Sequence, residues 1–248
     1  MDNKKYEFTG ETKKWKGHTL HRIRAIVGLD DVKKGDIGGW IENESNLSND
    51  ARYYAWVYDN AMVYGHASVT DNAQVYDNAE VYGDCLVRDN ATVYKDAKIC
   101  GYADVCGNAG ISDCAEIHGY ARVGGWANVV NSAHVYGCAV VGGYAHIGGY
   151  AKVCGCAEVK GNVCIIGNAV VKTDADYAVF KNCWSSARWF TYTRSNKMWR
   201  VGCFYGTGEE LIIKAYKDSE RSGRCYEAIV RAMESIDQIM KEKTNGRK

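Results

Sequence analysis

Aliphatic residues recur every six positions along half of this chain, and that spacing constrains its fold more than any other feature. The positions are Val57, Val63, Val69, Val75, Val81, Val87, Val93, Ile99, Val105, Ile111, Ile117, Val123, Val129, Val135, Val141, Ile147, Val153, Val159, Ile165 and Val171. Two residues before each of them stands alanine, except for Cys85 and Val163. A period held this strictly is the sequence signature of a solenoid.

Each six-residue unit predicts a short strand followed by a corner, as in Val57-Tyr58-Asp59-Asn60-Ala61-Met62. Asp, Asn and Gly tolerate the tight backbone of a corner, while the aliphatic residue points inward and the alanine fills the cramped inner corner. Three units per coil form a triangular prism, so we expect a mainly β fold, a single-stranded parallel β-helix of about 6–7 coils. At about 4.8 Å per coil the body is on the order of 32 Å long.

Residues eighteen positions apart stack on adjacent coils of such a prism. Opposite charges stacked in this way each contribute roughly 0.2–1 kcal/mol, so we interpret them as devices that fix the register. The outward columns are Tyr58, Tyr76 and Tyr94; Asn72, Asn90 and Asn108; Glu80, Lys98 and Glu116; and Asp104 beside Arg122.

The repeat predicts three domains, because open strand edges at both ends need covering. Residues 1–50 are expected to form an N-terminal β cap, 51–173 the β-helix, and 174–248 a C-terminal α+β domain with a β-hairpin and two helices. In the tail, the alternating segment 177–206 turns at Ser195-Asn196-Lys197. A capping box at Thr207-Gly208-Glu209-Glu210 opens the first helix, and apolar spacing predicts the second over about 223–242.

The hexads resemble the hexapeptide repeat of left-handed parallel β-helices. The segment Asp31–Ile41, followed by Asn46-Leu47-Ser48, resembles the N-terminal region of bacterial and prophage hexapeptide-repeat proteins that include acyltransferases. The tail resembles C-terminal segments of phage-encoded members. This resemblance implies a left-handed coil, trimers formed side by side and, for the enzymes, acyl-CoA together with a histidine base at a subunit boundary.

The solenoid carries four histidines that such an enzyme could use as its base: His66, His118, His134 and His146. A base of this kind must reach the acceptor hydroxyl or amine that it deprotonates. No hexad is interrupted by the long loop that often covers the active site in these enzymes, and no carboxylate is clearly placed to orient any one histidine. Polar substitution at variable repeat positions is the alternative interpretation.

Aromatic residues at outward or corner positions indicate a partner surface, since exposed aromatic rows are typical of interfaces. The alternative is packing of these rings under caps that fold back over the faces. Nucleic-acid binding would require interleaved Arg and Lys, whereas the neighbours are mostly Asp and Asn. The candidates are Tyr58, Tyr76, Tyr94, Tyr102, Tyr120, Trp126 and Tyr144.

An aromatic and basic cluster in the tail is a second candidate binding site, for an anionic ligand held by guanidinium groups and rings. The alternative is a small core with arginines at its rim. The residues are Trp184, Arg188, Trp189, Arg194, Trp199 and Arg200. Among the cysteines, Cys138, Cys154 and Cys156 come closest to a metal site but lack the further ligands it needs, so we expect no metal.

Composition restricts the partners. Lys plus Arg (31) nearly cancels Asp plus Glu (30), so no global field attracts nucleic acid or an anionic membrane. An odd number of cysteines, 11, without a signal peptide favours reduced thiols, and we expect a soluble cytoplasmic protein, in the host cytoplasm if a phage encodes it.

We therefore predict a non-catalytic, oligomeric β-solenoid of phage or prophage type that needs no cofactor. It would act by binding a host protein, for example a defence component, or a small anionic ligand. The first alternative is an acyl-CoA-dependent acyltransferase that uses one of the four histidines. The second is a structural protein that assembles end to end.

Overall fold

The computed structural model of the chain describes residues 4–245, and the side chains of residues 4–242. The chain divides into two compact units, Met1–Asp174 and Ala175–Lys248. The first unit is a parallel β-solenoid of about seven coils with three faces, and the second is built from an antiparallel sheet and two helices. The predicted fold class is confirmed, while the left hand of the coil stays a prediction of the resemblance.

The three solenoid faces are stacks of short parallel strands, named here in the order in which the chain first visits them. The first face holds Ile37–Ile41, Met62–Gly65, Glu80–Gly83, Lys98–Ile99, Glu116–Ile117, His134–Val135, Lys152–Val153 and Val170–Val171. The second face holds Ser68–Val69, Leu86–Val87, Asp104–Val105, Arg122–Val123, Val140–Val141 and Glu158–Val159. The third face holds Trp56–Val57, Gln74–Val75, Thr92–Val93, Gly110–Ile111, Asn128–Val129, His146–Ile147 and Cys164–Ile165.

Strands pair in the register that the repeat predicts. Val63 lies opposite Val81 and Val57 opposite Val75, which are offsets of eighteen residues. Every aliphatic residue of the ladder, and the small residue before it, is at most 2% exposed. The interior is therefore a dry Val and Ala core, and each fully buried valine stabilises the fold by roughly 1.5–3 kcal/mol.

The first residue of most corners adopts positive φ, which explains why Asp, Asn and Gly occupy that position. Asp89 has φ 60°, and its carboxylate accepts a hydrogen bond of 2.8 Å from the backbone N–H of Gly107 in the next coil. At Gly143 a Cβ atom would lie 2.5 Å from the backbone nitrogen of Gly161, so close coil stacking requires glycine there.

The N-terminal segment forms a hairpin of two strands, Tyr6–Trp15 and His18–Ala25, which extends the first face by antiparallel pairing with Ile37–Ile41. A 3-10 turn follows at Glu44–Asn46. The first coil begins before the regular repeat, since Ile41 pairs with Val63 and Leu47 bridges to Val69. These offsets are 22 residues, because four extra residues lie between Leu47 and Val57.

The second unit contains a four-stranded antiparallel sheet, with strands Tyr177–Lys181, Trp189–Thr193, Met198–Val201 and Phe204–Gly206 in chain order. A 3-10 turn, Asp174–Asp176, spans the boundary between the units. The predicted hairpin forms its two central strands, so the prediction of a hairpin alone was incomplete.

Two helices follow the sheet, α1 at Gly208–Asp218 and α2 at Glu220–Asn245. The predicted capping box is present, because Thr207 Oγ1 accepts from the N–H of Glu210 and the Glu210 carboxylate accepts from the N–H of Thr207. The core of this unit contains Phe190, Tyr192, Trp199, Val201, Leu211, Ile212, Val230 and Met233. Among residues 4–245, no helix combines the length and apolar character needed to cross a membrane.

Candidate binding face and the predicted site residues

Four predicted aromatic residues are exposed at the corners of the middle coils. Tyr102 and Tyr120 stack at the first corner, with ring centroids 5.0 Å apart and an interplanar angle of 4°. Trp126 and Tyr144 occupy the second corner on adjacent coils. All four are between 56% and 63% exposed, so the structure places these rings in solvent.

The two aromatic corners flank one face of the solenoid. Tyr120 precedes the second-face strand Arg122–Val123, and Trp126 follows the same strand after one corner. Between them runs an outward column of small residues, Cys106, Gly124 and Gly142, one coil apart. We call the part of the second face from Tyr102 to Tyr144 the aromatic-edged face. Its floor is low because two of the three column residues have no side chain.

Charge on the aromatic-edged face centres on Asp104. Its carboxylate accepts two hydrogen bonds from the guanidinium group of Arg88, at 3.0 and 3.1 Å, and lies 3.5 Å from that of Arg122. The predicted Asp104–Arg122 pair is therefore present. Because Asp104 is shared with Arg88 and the Arg122 side chain is 64% exposed, Arg122 presents positive charge between the aromatic edges.

The predicted column of Tyr58, Tyr76 and Tyr94 is half-buried. The rings of Tyr58 and Tyr76 stack at 4.2 Å, and the Tyr58 hydroxyl donates a hydrogen bond of 2.7 Å to Asp31. Burial and this carboxylate raise the pKa of Tyr58 far above its usual value. Packing against the N-terminal segment, the alternative interpretation, therefore describes Tyr58, on which Tyr76 stacks.

Tyr150 is an exposed aromatic residue that the sequence analysis missed. It lies at the third corner and is 72% exposed. The repeat register carried the signal, since Tyr150 occupies the same place in its hexad as Trp126 and Tyr144. It stands away from the aromatic-edged face, which makes it a suitable control residue.

The structure brings two of the four candidate histidines together. His118 and His134 lie on adjacent coils of the first face, whereas His66 is exposed at a first corner and His146 lies on the third face. The His118 ring stacks on Tyr136 at 5.0 Å, and burial lowers the pKa of His118.

A carboxylate does lie beside one of these histidines, so the expectation that none is placed there was wrong. Nδ1 of His134 is 3.5 Å from Oε2 of Glu116, its partner in the strand register. Glu116 and His134 are eighteen residues apart, so the repeat predicts that they lie side by side on adjacent coils. Glu116 also lies 3.6 Å from the Lys98 ammonium group, which confirms that part of the predicted charged column.

A second histidine–carboxylate pair lies outside the repeat. Nδ1 of His18, at the hairpin tip, is 2.9 Å from both carboxylate oxygens of Glu42. Burial pushes the pKa of Glu42 upward, but hydrogen bonds from His18 and the N–H of Gly65 outweigh it and hold that pKa below its usual value. No periodicity links these two residues, so their pairing could not be predicted from the repeat.

Glu80 anchors the hairpin tip to the first face. Its carboxylate accepts hydrogen bonds from Trp15 Nε1 at 3.2 Å, Lys16 Nζ at 2.7 Å and the Tyr64 hydroxyl at 2.8 Å. In the predicted column Glu80 was a partner of Lys98, and the structure instead gives it Lys16 as its ion-pair partner.

The predicted tail cluster is dispersed over the second unit. Trp199 is 2% exposed in the core, and Trp184 packs against that core. Arg194 forms an ion pair of 2.8 Å with Asp237, and Arg200 donates to the carbonyl oxygen of Cys203. Arg188 and Trp189 are exposed, and the cation over the Trp189 ring is Lys181, 5.6 Å from its centroid.

One cavity of about 430 Å³ lies between the sheet and α2 of the second unit. Tyr192, Trp199 and Met233 contribute apolar surface, and Lys197 and Lys241 contribute charge. The Tyr192 hydroxyl donates a hydrogen bond of 2.6 Å to Asp237 at its wall. Within residues 4–242, no group of three or more His, Cys, Asp or Glu side chains is arranged to hold a metal ion.

The fold places the chain among parallel β-solenoids with an eighteen-residue coil, consistent with a hexapeptide-repeat β-helix. Comparisons with models of known protein families and with curated protein sequences find no match to this chain.

Proposed function

We propose that this protein is a non-catalytic β-solenoid that acts by binding a protein partner through its aromatic-edged face. The observation that carries the proposal is the pair of exposed aromatic edges, Tyr102 with Tyr120 and Trp126 with Tyr144, on either side of one face. Tyr, Trp and Arg are the residues that most often dominate binding energy at protein interfaces, and Arg122 lies between the edges.

The shape of this face favours an extended or flat partner surface. The glycines of the central column let a partner backbone or side chain approach the sheet, while the rings on both sides supply apolar contact area. Stacked tyrosines lose little conformational entropy on binding because their rings are already ordered. These features support a partner protein more directly than a small ligand.

The resemblance of the N-terminal segment supports a phage or prophage origin and an oligomer, with a trimer expected. In that setting the partner is a host protein, for example a defence component, met in the host cytoplasm. Sedimentation velocity tests the oligomer: a discrete trimer supports it, and a monomer at all concentrations contradicts it. Growth of the particle with concentration would favour the self-assembling structural protein instead.

A pull-down from a bacterial lysate, followed by native mass spectrometry, tests the binding function. The full chain is compared with a Trp126→Ala, Tyr144→Ala double variant and with Tyr150→Ala as the matched control. We expect a protein that the native chain and the control retain and that the double variant loses. Equal retention by all three chains would contradict the proposal.

The Glu116–His134 contact supports a second candidate function, that of an acyl-CoA-dependent acyltransferase. A carboxylate beside an imidazole is the arrangement that orients a general base. Acetyl-CoA that raises the unfolding temperature of the native chain would favour the enzyme. No stabilisation by acetyl-CoA is the result expected for a binding protein.

A further inference from the structure

Two hydrogen-bond donors are buried without an acceptor on the outer side of the N-terminal sheet. They are Nε of Arg22 and Nε1 of Trp40. The two residues lie opposite each other in paired strands. A buried donor without an acceptor is costly, and most buried polar groups in folded proteins have a partner, so these two donors require an explanation.

Two cations lie against the same indole ring. The Lys13 ammonium nitrogen is 4.4 Å and the Arg22 guanidinium carbon 4.9 Å from the centroid of Trp40. None of the ion pairs among residues 4–242 involves either cation, although their neighbours Lys16 and Arg24 pair with Glu80 and Glu7. Burial and the charge of Arg22 lower the pKa of Lys13, and the more weakly acting carboxylates of Glu80 and Glu11 offset this only in part.

Strand register places these groups on one side of the sheet. Lys13 lies opposite Leu20, and Leu20 packs in one cluster with Trp40 and Met62. Adjacent residues of a strand point to opposite sides, so Lys14 projects away from this cluster. Lys14 is exposed and donates a hydrogen bond to Thr19 instead.

We propose that Lys13, Arg22 and Trp40 form a binding site for a small oxoanion, with a phosphate group as the best match. All three side chains are donors only, so they complement a ligand that only accepts hydrogen bonds. The guanidinium fork fits the oxygens of a phosphate, and the ammonium group adds a second charge. Lys13 and Arg22 are half-buried, and the Arg22 nitrogen that is buried without an acceptor is Nε.

The site lies on the N-terminal hairpin and the first face, apart from the aromatic-edged face, and stands independently of the proposed function. The oxoanion could be free phosphate or the phosphate of a larger metabolite. Inorganic phosphate and glucose 6-phosphate, used as separate probes, distinguish these sources. Tight binding of both indicates a site open to a phosphate monoester, and binding of inorganic phosphate alone indicates a closed site.

The experiment is an isothermal titration calorimetry measurement in which the full chain is titrated with sodium phosphate at pH 7. Sodium chloride keeps the ionic strength constant. The variants are Arg22→Gln, Lys13→Met and Trp40→Phe, which remove a guanidinium group, an ammonium group and an indole N–H. Lys14→Met is the matched control, since it removes a lysine from the opposite side of the same strand. Circular dichroism melting curves verify that each variant is folded.

We expect saturable binding by the native chain and by Lys14→Met. The affinity should fall about tenfold in Arg22→Gln and Lys13→Met, because each loses a charge-assisted contact, and less in Trp40→Phe. Heats that do not saturate, or equal affinities for Lys14→Met and for a folded Lys13→Met, would overturn the proposal. If Arg22→Gln does not fold, Lys13→Met and Trp40→Phe decide the question.

Discussion

The buried ammonium group of Lys5 donates a hydrogen bond of 2.8 Å to the carbonyl oxygen of Ala55, fifty residues further along the chain. Within the solenoid each coil donates its N–H groups to the carbonyl oxygens of the next coil, as Trp56 does to Ala73. The first coil therefore presents carbonyl groups that no earlier coil can reach. Lys5 supplies the missing donor at the start of the third face.

Other side chains near this end also donate hydrogen bonds to backbone carbonyl oxygens. In the first coil the Tyr6 hydroxyl donates to the carbonyl oxygen of Leu47. The Asn46 N–H bonds to Asn43 within the 3-10 turn, and the Asn46 side-chain amide donates instead to the carbonyl oxygens of Gly65 and Ala67 in the second coil. At the last coil the open groups are N–H donors, and there the Asp174 carboxylate accepts from the N–H of Glu158. Side-chain donors thus bind the open carbonyl groups at the N-terminal end of the solenoid, and a side-chain acceptor binds an open N–H group at its C-terminal end.

Replacing Lys5 should change how stability depends on pH. Burial lowers the pKa of Lys5 from 10.5 to about 8, so between these values the unfolded chain holds a proton that the folded chain has released. Stability of the native chain should thus rise with pH across this window, by up to roughly 3 kcal/mol from this residue. The Lys5→Met variant lacks this gain.

Urea unfolding between pH 7.5 and 10.5 measures the difference between Lys5→Met and the native chain. At the lower pH the variant is also expected to lose about 1–3 kcal/mol, because the Ala55 carbonyl keeps no donor. Lys4→Met, at an exposed neighbouring lysine, is the control. Parallel pH curves for the native chain and Lys5→Met would contradict the linkage.

Asp113 tests the role of side chains at the corners. It has φ 59°, accepts a hydrogen bond of 2.9 Å from the N–H of Asn131 and pairs with Lys95 at 2.6 Å. Asp113→Ala should cost about 1–3 kcal/mol through backbone strain and lost contacts, whereas Asp113→Asn tolerates the same backbone and keeps an acceptor. Chemical denaturation of both variants at pH 7 provides the comparison.

The Asp113 contribution should also depend on pH in a defined direction. Hydrogen bonds from Lys95 and Asn131 hold its pKa below the usual 3.8. Its stabilising effect is present above that value and is lost as the pH falls through the lowered one. The difference in stability between the native chain and Asp113→Ala should therefore narrow as the pH falls below 3.8, leaving the part that comes from backbone strain. A difference that stays constant from pH 7 into this acidic range would count against this explanation.

Thiol labelling should separate the cysteines by burial. Cys85 lies at an inward small position, and burial raises its pKa to about 12, so the reactive thiolate is scarce at neutral pH. The exposed cysteines are Cys114, Cys138, Cys156, Cys183 and Cys203. Iodoacetamide followed by peptide mass spectrometry should modify those five first and Cys85 only in urea. Early modification of Cys85 in the native state would show that the coil opens there.

The repeat predicted the solenoid well because its contacts are periodic. One spacing determined the inward core, the strand register and contacts such as Asp104–Arg122, each made between neighbouring coils. The same rule implied the Glu116–His134 contact and the exposed place of Tyr150. Both follow from the repeat geometry alone, so both could be predicted from the sequence.

Contacts outside the repeat could not be predicted in this way. The His18–Glu42 pair depends on how the hairpin packs on the first face, and the position of Trp199 depends on how α2 covers the sheet. These contacts join residues of unrelated spacing, so neither periodicity nor local propensity contains them. The cluster of aromatic and basic residues predicted in the tail is therefore divided in the structure: its tryptophans Trp184 and Trp199 belong to or pack against the core, and its arginines lie apart from one another.

The Asp237 carboxylate should be a main source of stability in the second unit. It accepts hydrogen bonds from the Tyr192 hydroxyl and from Nε of Arg194, and both members of the ion pair are largely buried. Asp237→Ala leaves Arg194 charged and unpaired, which should cost about 3 kcal/mol. Arg231→Ala, which breaks exposed ion pairs on α2, should change stability much less, because solvent screens exposed pairs. Thermal unfolding of both variants compares their losses of stability, and equal losses would contradict the role assigned to Asp237.

Gly142 offers a way to block the aromatic-edged face without removing any aromatic ring. Its backbone does not lie in the positive-φ region, and a Cβ atom there would meet only Lys160 Cγ, at an ordinary 3.7 Å. The Gly142→Leu variant should therefore fold with nearly unchanged stability and place a bulky side chain beside Tyr144. The affinity for the partner should fall at least tenfold, because the leucine side chain fills the space above the glycine column between the aromatic edges. Thr70→Leu adds the same side chain to the same outward column four coils earlier, outside the aromatic-edged face, and should bind like the native chain. Surface plasmon resonance with the captured partner measures both variants, and undiminished binding by a folded Gly142→Leu would place the interface elsewhere on the solenoid.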